Sequence, residues 1–275
     1  MKINKEKIKT WFVTGASSGV GHELCEVLLQ RGYNVVAVSR RVPYFEHENA
    51  LCLSVDVTNP ESINEAVQKG IARFGKIDVL SNNAGISANV TLEEETLEHM
   101  KEVIETNFFG TFNTIQALLS HFRENKNGTI INNTSQSGVS FRAFGSAYVS
   151  SKHAIEGLTS VCWHETQEFC RVMAVELGYF KGTEIYAHSL NQKTNIDEYK
   201  GVKIFYRPFK RDFENKLSVA INFVVDEVEN VELPRRLMLG KDAIIQIGEE
   251  LKDLNRDYER SKEKAFQCSF DVAVN

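Results

Sequence analysis

What this chain lacks narrows its function first. It has no basic excess: 32 lysines and arginines stand against 37 aspartates and glutamates, giving a formal charge of −5 and a pI near 5.9. A nucleic-acid reader needs a basic face, so that class is disfavoured. The lysines over residues 1–9 are mixed with glutamate beside the first strand and read as a solvated lead-in. No stretch approaches the roughly 20 apolar residues of a membrane-spanning helix, and the N-terminus lacks the apolar run of a signal peptide. A soluble, cytoplasmic protein with neither membrane nor nucleic-acid partner is expected. The five cysteines (Cys25, Cys52, Cys162, Cys170, Cys268) are odd in number, widely spaced and without a C-x-x-C pair. That pattern argues against a disulfide framework and for reduced thiols. Cys162 and Cys170 flank Trp163 and His164 but fit no common ligand spacing, so no metal is expected. No internal repeat, low-complexity tract or linker divides the chain.

What is present is an alternation of strands and helices. Residues 10–14 predict a short buried strand, and 22–31 carry leucines at helical spacing. A second β-branched run over 34–39 is closed by Arg40 and Arg41, and a third over 50–55 ends at Asp56. Residues 60–74 predict a helix, with Pro60 suited to its first turn. Residues 76–80 and 128–133 predict the fourth and fifth strands, separated by a long helix around 97–123. Beyond Lys152 a helix continues to about 168, before a sixth strand over 170–176. The tail 245–265 alternates charges at helical spacing and reads as a surface helix. Strand, helix, strand in this order builds a Rossmann-type, doubly wound parallel α/β sheet with right-handed crossovers and helices on both faces. At 275 residues and 42% apolar content, one domain spanning 1–275 is expected. Residues 178–215 are polar, aromatic and poorly periodic, the character of a substrate-binding loop or lid.

Two constellations carry chemistry. The first is T-G-A-S-S-G-V-G over Thr14–Gly21, between a strand and a helix. Main-chain N–H groups and the positive helix end suit a dinucleotide pyrophosphate there. Gly15 can take the sharp turn, Gly19 lets phosphate approach the main chain, and Gly21 allows tight helix–strand packing. Ser17, Ser18 and Val20 complete the predicted cofactor-binding turn. An acid at the end of the second strand would accept from the ribose hydroxyl of NAD, whereas arginine pairs with the 2′-phosphate of NADP. Ser39 and Arg40 stand at that place, which favours NADP and keeps NAD as the alternative. Asp56 is placed to contact adenine, and the D-V-T-N-P stretch that includes Val57 also reads as a helix cap before Pro60.

The second constellation is Ser135 with Tyr148 and Lys152. A tyrosine has an ordinary pKa near 10, too high for efficient proton transfer at neutral pH. Lys152 lies one helical turn beyond Tyr148, on the same face, where its charge favours the phenolate. The phenol can protonate a carbonyl oxygen as hydride reaches carbon, and Ser135 can hydrogen-bond that oxygen. Lys152 can also hold the nicotinamide ribose hydroxyls.

These motifs together resemble the short-chain dehydrogenase/reductase family, in its compact single-domain branch, along nearly the whole chain. The glycine turn, Asn82-Asn83-Ala84-Gly85 after the fourth strand, Asn107, Ser135 and the Tyr148/Lys152 pair fall in the family's order. The resemblance implies that Asn82, Ala84 and Gly85 hold the sheet and border the adenosine. It implies that Asn107 completes a catalytic tetrad by holding a relay water. It further implies a seven-stranded parallel sheet, NAD(P) across its carboxyl edge, hydride exchange with a small carbonyl or alcohol, and homodimers or homotetramers. After the sixth strand the family's proline is replaced by Leu177, while Gly178 aligns and Gly182 or Thr183 stands for the threonine that contacts the carboxamide. The segment 233–243 resembles one near the C-terminus of many oxidoreductases.

Cys25 reads as core packing, His22 as a helix-start or surface residue, and His153 as a solvated neighbour of Lys152. Phe141, Phe144, Tyr179, Phe180, Tyr186, Phe205, Tyr206 and Phe209 fall around the predicted pocket and suggest an apolar or aromatic substrate.

Overall fold

The computed structural model describes residues 9–87, 89–181, 183, 194–204 and 214–269. Seven parallel strands form one sheet in the order β3-β2-β1-β4-β5-β6-β7. The strands are β1 Thr10–Thr14, β2 Asn34–Ser39, β3 Ala50–Ser54, β4 Val79–Asn82, β5 Thr129–Asn133, β6 Arg171–Leu177 and β7 Arg236–Leu239. The helices are α1 Gly19–Gln30, α2 Pro60–Phe74, α3 Leu97–Ile104, α4 Gly110–Asn125, α5 Ser146–Glu165, α6 Leu217–Glu229 and α7 Lys241–Gln267.

Both faces of the sheet are covered, and the two-residue period of its strands decides which side chain meets which helix. Trp11, Val13, Val35 and Ala37 point to one face, where they join Leu24 and Leu28 of α1 and Ile221, Val224 and Val225 of α6. Phe12, Val36 and Val38 point to the other, with Ile63 and Val67 of α2 and Ile115, Leu118 and Phe122 of α4. Phe12 is wholly enclosed, and truncation to alanine is expected to cost about 3–5 kcal/mol.

Several boundaries differ from the sequence reading for local reasons. Helix α1 starts at Gly19, inside the glycine turn, so the turn and the helix N-terminus are one structure. The cap before Pro60 is Asn59, whose side chain accepts from Glu61 N at 2.9 Å and Ser62 N at 3.3 Å. Asp56 instead closes its own turn, accepting from the N–H and hydroxyl of Thr58. The long helix expected around 97–123 is interrupted by a π-helical turn over Glu105–Phe109, which separates α3 from α4. Helix α6 and strand β7 had no place in the residue-level reading. β7 is only four residues long, and α6 buries Ala220, Ile221, Val224, Val225 and Val228 on one face. The segment 233–243 therefore contains the seventh strand and the start of α7.

Strands β1 and β4 adjoin but lead to opposite halves of the sheet, which opens a crevice at their carboxyl ends. Ligands of doubly wound folds bind at such a reversal.

Candidate active site

The larger of two cavities at this edge holds about 520 Å³. Its floor is the turn from β1 into α1, with Gly15, Ser17, Ser18, Gly19, Val20 and Gly21 on its wall. Gly15 has φ 67°, and a Cβ there would stand 2.9 Å from the Ala84 main chain. The Thr14 hydroxyl accepts from Asn83 N at 2.9 Å and Ala84 N at 3.1 Å, tying this turn to the segment after β4. Ser18 occupies the N-cap of α1 without a side-chain capping bond, so the helix's first N–H groups lack that partner. An anion at this end would complete them, which is the fit a dinucleotide pyrophosphate requires. Ser39 and Arg40 line the cavity from the end of β2, Asp56 and Val57 from the end of β3, and Ala84 and Gly85 from beyond β4.

The smaller cavity holds about 80 Å³ and is lined by Ser135, Tyr148, Lys152 and Gly178, with Tyr179 and Phe180. Val20, Asn83 and Thr183 line both cavities, so the two are neighbours in one crevice. Ser135 follows β5 and its Oγ accepts from Ser137 N at 3.1 Å. Tyr148 and Lys152 lie on the first turns of α5 and are both buried. Lys152 Nζ donates to Asn133 O at 2.8 Å and stands 5.6 Å from the centre of the Tyr148 ring.

Burial raises the Tyr148 phenol above its ordinary value, while the Ser135 hydroxyl and the Arg142 charge oppose that rise. The Arg142 guanidinium therefore stands beside the phenol as well as Lys152, whose ammonium is held by the Asn133 carbonyl. Burial lowers Lys152 to about 8, and Glu156 one turn further along α5 acts in the opposite sense. Behind them lies a buried acid pair. Arg236 Nη1 sits 2.7 Å from both Glu156 Oε2 and Glu176 Oε1. Burial raises both carboxyls, Glu176 to about 7, where the neighbouring Glu156 adds to the rise and Arg236 opposes it.

Two predicted site residues line neither cavity. Asn82 is buried in the sheet, donating to Asn132 Oδ1 at 2.9 Å and accepting from Thr114 Oγ1 at 2.6 Å. Asn107 lies in the π-helical turn and is fully enclosed. Its side chain accepts from Ile86 N at 2.8 Å and donates to Ile86 O and Ser151 Oγ, each at 3.0 Å. It thereby fastens the loop segment that follows Gly85 to helix α5. Of the aromatic residues, Phe144 and Phe180 are buried and Phe141 is partly exposed. Tyr186, Phe205, Tyr206, Phe209 and Gly182 lie outside the described residues.

Two arginines that line the cavities were not among the predicted site residues. Arg41 lines the larger cavity and its guanidinium reaches Ser17 O at 3.4 Å, bridging the end of β2 to the glycine turn. Arg142 lines the smaller. The signal for it was a single arginine among aromatics between Ser135 and Tyr148. Among the described residues no group of three metal-ligating side chains occurs, and no helix is long and apolar enough to cross a membrane.

A doubly wound parallel sheet with a glycine turn at its switch point, and a buried tyrosine and lysine in the adjoining cavity, defines a dinucleotide-dependent oxidoreductase. The chain belongs to the short chain dehydrogenase family, whose model matches residues 9–194. It is 28% identical over 267 residues to oxidoreductase BOA17 of Botryotinia fuckeliana, covering 93% of this chain and 97% of that one. A short-chain dehydrogenase from Streptomyces avermitilis superposes with a TM-score of 0.80 at 27% identity, over 96% of this chain and all of that one. A short chain dehydrogenase from Burkholderia cenocepacia, solved in complex with NADP, superposes with a TM-score of 0.70 at 25% identity, over 94% and 99% of the two chains. The protein is an NAD(P)-dependent dehydrogenase/reductase.

Proposed function

We propose that this protein is an NADP(H)-preferring oxidoreductase that reduces a ketone or aldehyde, or oxidises the corresponding alcohol. The observation that carries the reading is the sharing of one crevice: Ser135, Tyr148 and Lys152 line a small cavity that adjoins the glycine-turn cavity through Val20, Asn83 and Thr183. A bound nicotinamide supplies or accepts the hydride at the substrate carbon. Tyr148 gives its phenolic proton to the carbonyl oxygen in reduction and takes it back in oxidation. Burial keeps that phenol protonated at neutral pH, which suits the reducing direction. Ser135 hydrogen-bonds the same oxygen and stabilises its developing charge.

Lys152, braced on the Asn133 carbonyl, would hold the nicotinamide ribose. Asn107, in the π-helical turn, would keep the relay water, and Gly178 and Thr183 would border the carboxamide. The turn residues from Gly15 to Gly21 would hold the pyrophosphate, and Asp56, Val57, Asn82, Ala84 and Gly85 would serve the adenosine end. Ser39 and Arg40 would take the 2′-phosphate of NADP, a reading that the NADP complex of the Burkholderia relative supports; NAD is the alternative. Residues 178–215 would form the substrate loop. Within it, Tyr199 donates to Glu93 at 3.0 Å, and Ile204 O accepts from Ala143 N at 2.8 Å, one residue from Arg142. One domain over 1–275, assembled as a homodimer or homotetramer, completes the proposal.

The test is fluorescence titration with NADPH and with NADH, followed by a carbonyl panel with the tighter cofactor. Tight NADPH binding with turnover is expected. Tighter NADH binding would overturn the role of Arg40, and binding of neither would overturn the enzyme reading.

A further inference from the structure

We infer that the substrate carries a carboxylate a few bonds from its reacting carbon, and that Arg142 receives it. This rests on the oxidoreductase reading above and names the substrate class of the same site.

Arg142 is 5% exposed, lines the cavity that holds Ser135 and Tyr148, and places its guanidinium carbon 5.5 Å from the centre of the Tyr148 ring. A buried guanidinium is costly unless an anion compensates it. Its hydrogen-bond partners here are neutral: Nη1 donates to Asn89 Oδ1, and Nη2 donates to Ser87 Oγ at 3.2 Å. Among the described residues no carboxylate lies within ion-pairing distance of it. These neutral acceptors fix the fork without cancelling its charge, which is the arrangement expected where the anion arrives with a ligand.

The chain around Arg142 is shaped to keep it there. Phe144 holds φ 60°, a left-handed conformation that is a true outlier for a bulky residue. Gly145 packs directly on the arginine: a Cβ at that position would stand 3.1 Å from Cζ and 3.3 Å from Nε. Gly145 also bridges to Val90, next to Asn89, so the two loops that flank the guanidinium are tied together. A merely solvated arginine would need neither the strained residue nor the close glycine. The aromatic and apolar lining from Leu177, Tyr179 and Phe180 faces the same cavity. An aromatic or aliphatic oxo acid, or its hydroxy acid, matches both features.

The test compares acids with their uncharged counterparts on the whole chain. Mandelate and mandelamide are titrated against the protein with NADPH bound, and benzoylformate and methyl benzoylformate are compared as substrates. Mandelate is expected to bind on the order of tenfold to a hundredfold more tightly than mandelamide, with a similar bias in kcat/KM. In Arg142→Gln both ratios are expected to fall to within about threefold of unity. A parent protein that binds the amide as well as the acid overturns the inference, and this comparison needs no variant to fold. A variant that keeps the acid preference overturns it as well. Absence of turnover with either cofactor defeats the oxidoreductase reading instead, while the mandelate comparison still decides the role of Arg142.

Discussion

The two cavities of the crevice are built by different means. The larger is lined mostly by glycines and small side chains at the ends of β1, β2, β3 and β4, joined by Arg40, Arg41, Glu102 and Glu105, and it is wide. The smaller is made of buried side chains drawn from β5, the loop that follows it, α5 and the end of β6. A main-chain cradle recognises what all dinucleotides share, the pyrophosphate and sugar. A side-chain pocket recognises what differs between substrates. The first tolerates many sequences that keep the glycine turn, whereas the second changes its preference with single residues.

The comparison breaks most sharply at Tyr148. Tyr148→Phe is expected to lower kcat by about 100- to 10,000-fold, while cofactor affinity by fluorescence titration stays within about threefold. Turnover within tenfold of the parent would remove Tyr148 from its acid role. At the other cavity, Arg40→Asp is expected to shift the NADPH-to-NADH affinity ratio by roughly tenfold to a hundredfold toward NADH, because a phosphate partner becomes a like charge. An unchanged NADPH affinity would show that Arg40 holds no phosphate.

Gly15→Ala tests the cradle itself. The added Cβ meets the Ala84 main chain in a backbone conformation that disfavours side chains, so a loss of about 1–3 kcal/mol in stability is expected together with weakened binding of both cofactors. A selective loss of NADPH binding alone would contradict a main-chain cradle. The smallest effect concerns the acid pair behind Lys152. Glu176 is raised to about 7 in the fold, so between its ordinary value near 4.5 and 7 the folded state holds a proton that the unfolded state has released. Stability contributed here therefore declines as pH rises through that window. Glu176→Gln is expected to match the parent below that window and to melt at a higher temperature than the parent above pH 7. A melting difference that does not vary with pH would refute the raised carboxyl.

Much of this was legible in sequence. Six strands appear as short apolar runs because a sheet covered on both faces needs apolar residues at most positions, as in 34–39. The glycine turn, Ser135, Tyr148 and Lys152 were legible because their spacing is local or ordered along the chain. β7 was not located, since Arg236–Leu239 owes its strand conformation to pairing with β6 rather than to its own four residues. Arg142 was invisible as a site residue because its meaning lies in Asn89, Gly145 and Tyr148 meeting around it. The carbonyl that accepts from Lys152 was hidden for a related reason: it belongs to β5, nineteen residues away.

The sequence by itself determined the parallel doubly wound sheet, the glycine turn between β1 and α1, and the placing of Tyr148 and Lys152 one helical turn apart. Those depend on periodicity and on contacts within a turn or two of chain. Only the tertiary structure decided that Arg142 stands beside the Tyr148 ring, which buried acids share Arg236, and that among the described residues no carboxylate pairs with the Arg142 guanidinium in the smaller cavity. Burial and long-range contact set the cost and effect of a charge, and neither is written in the local order of residues.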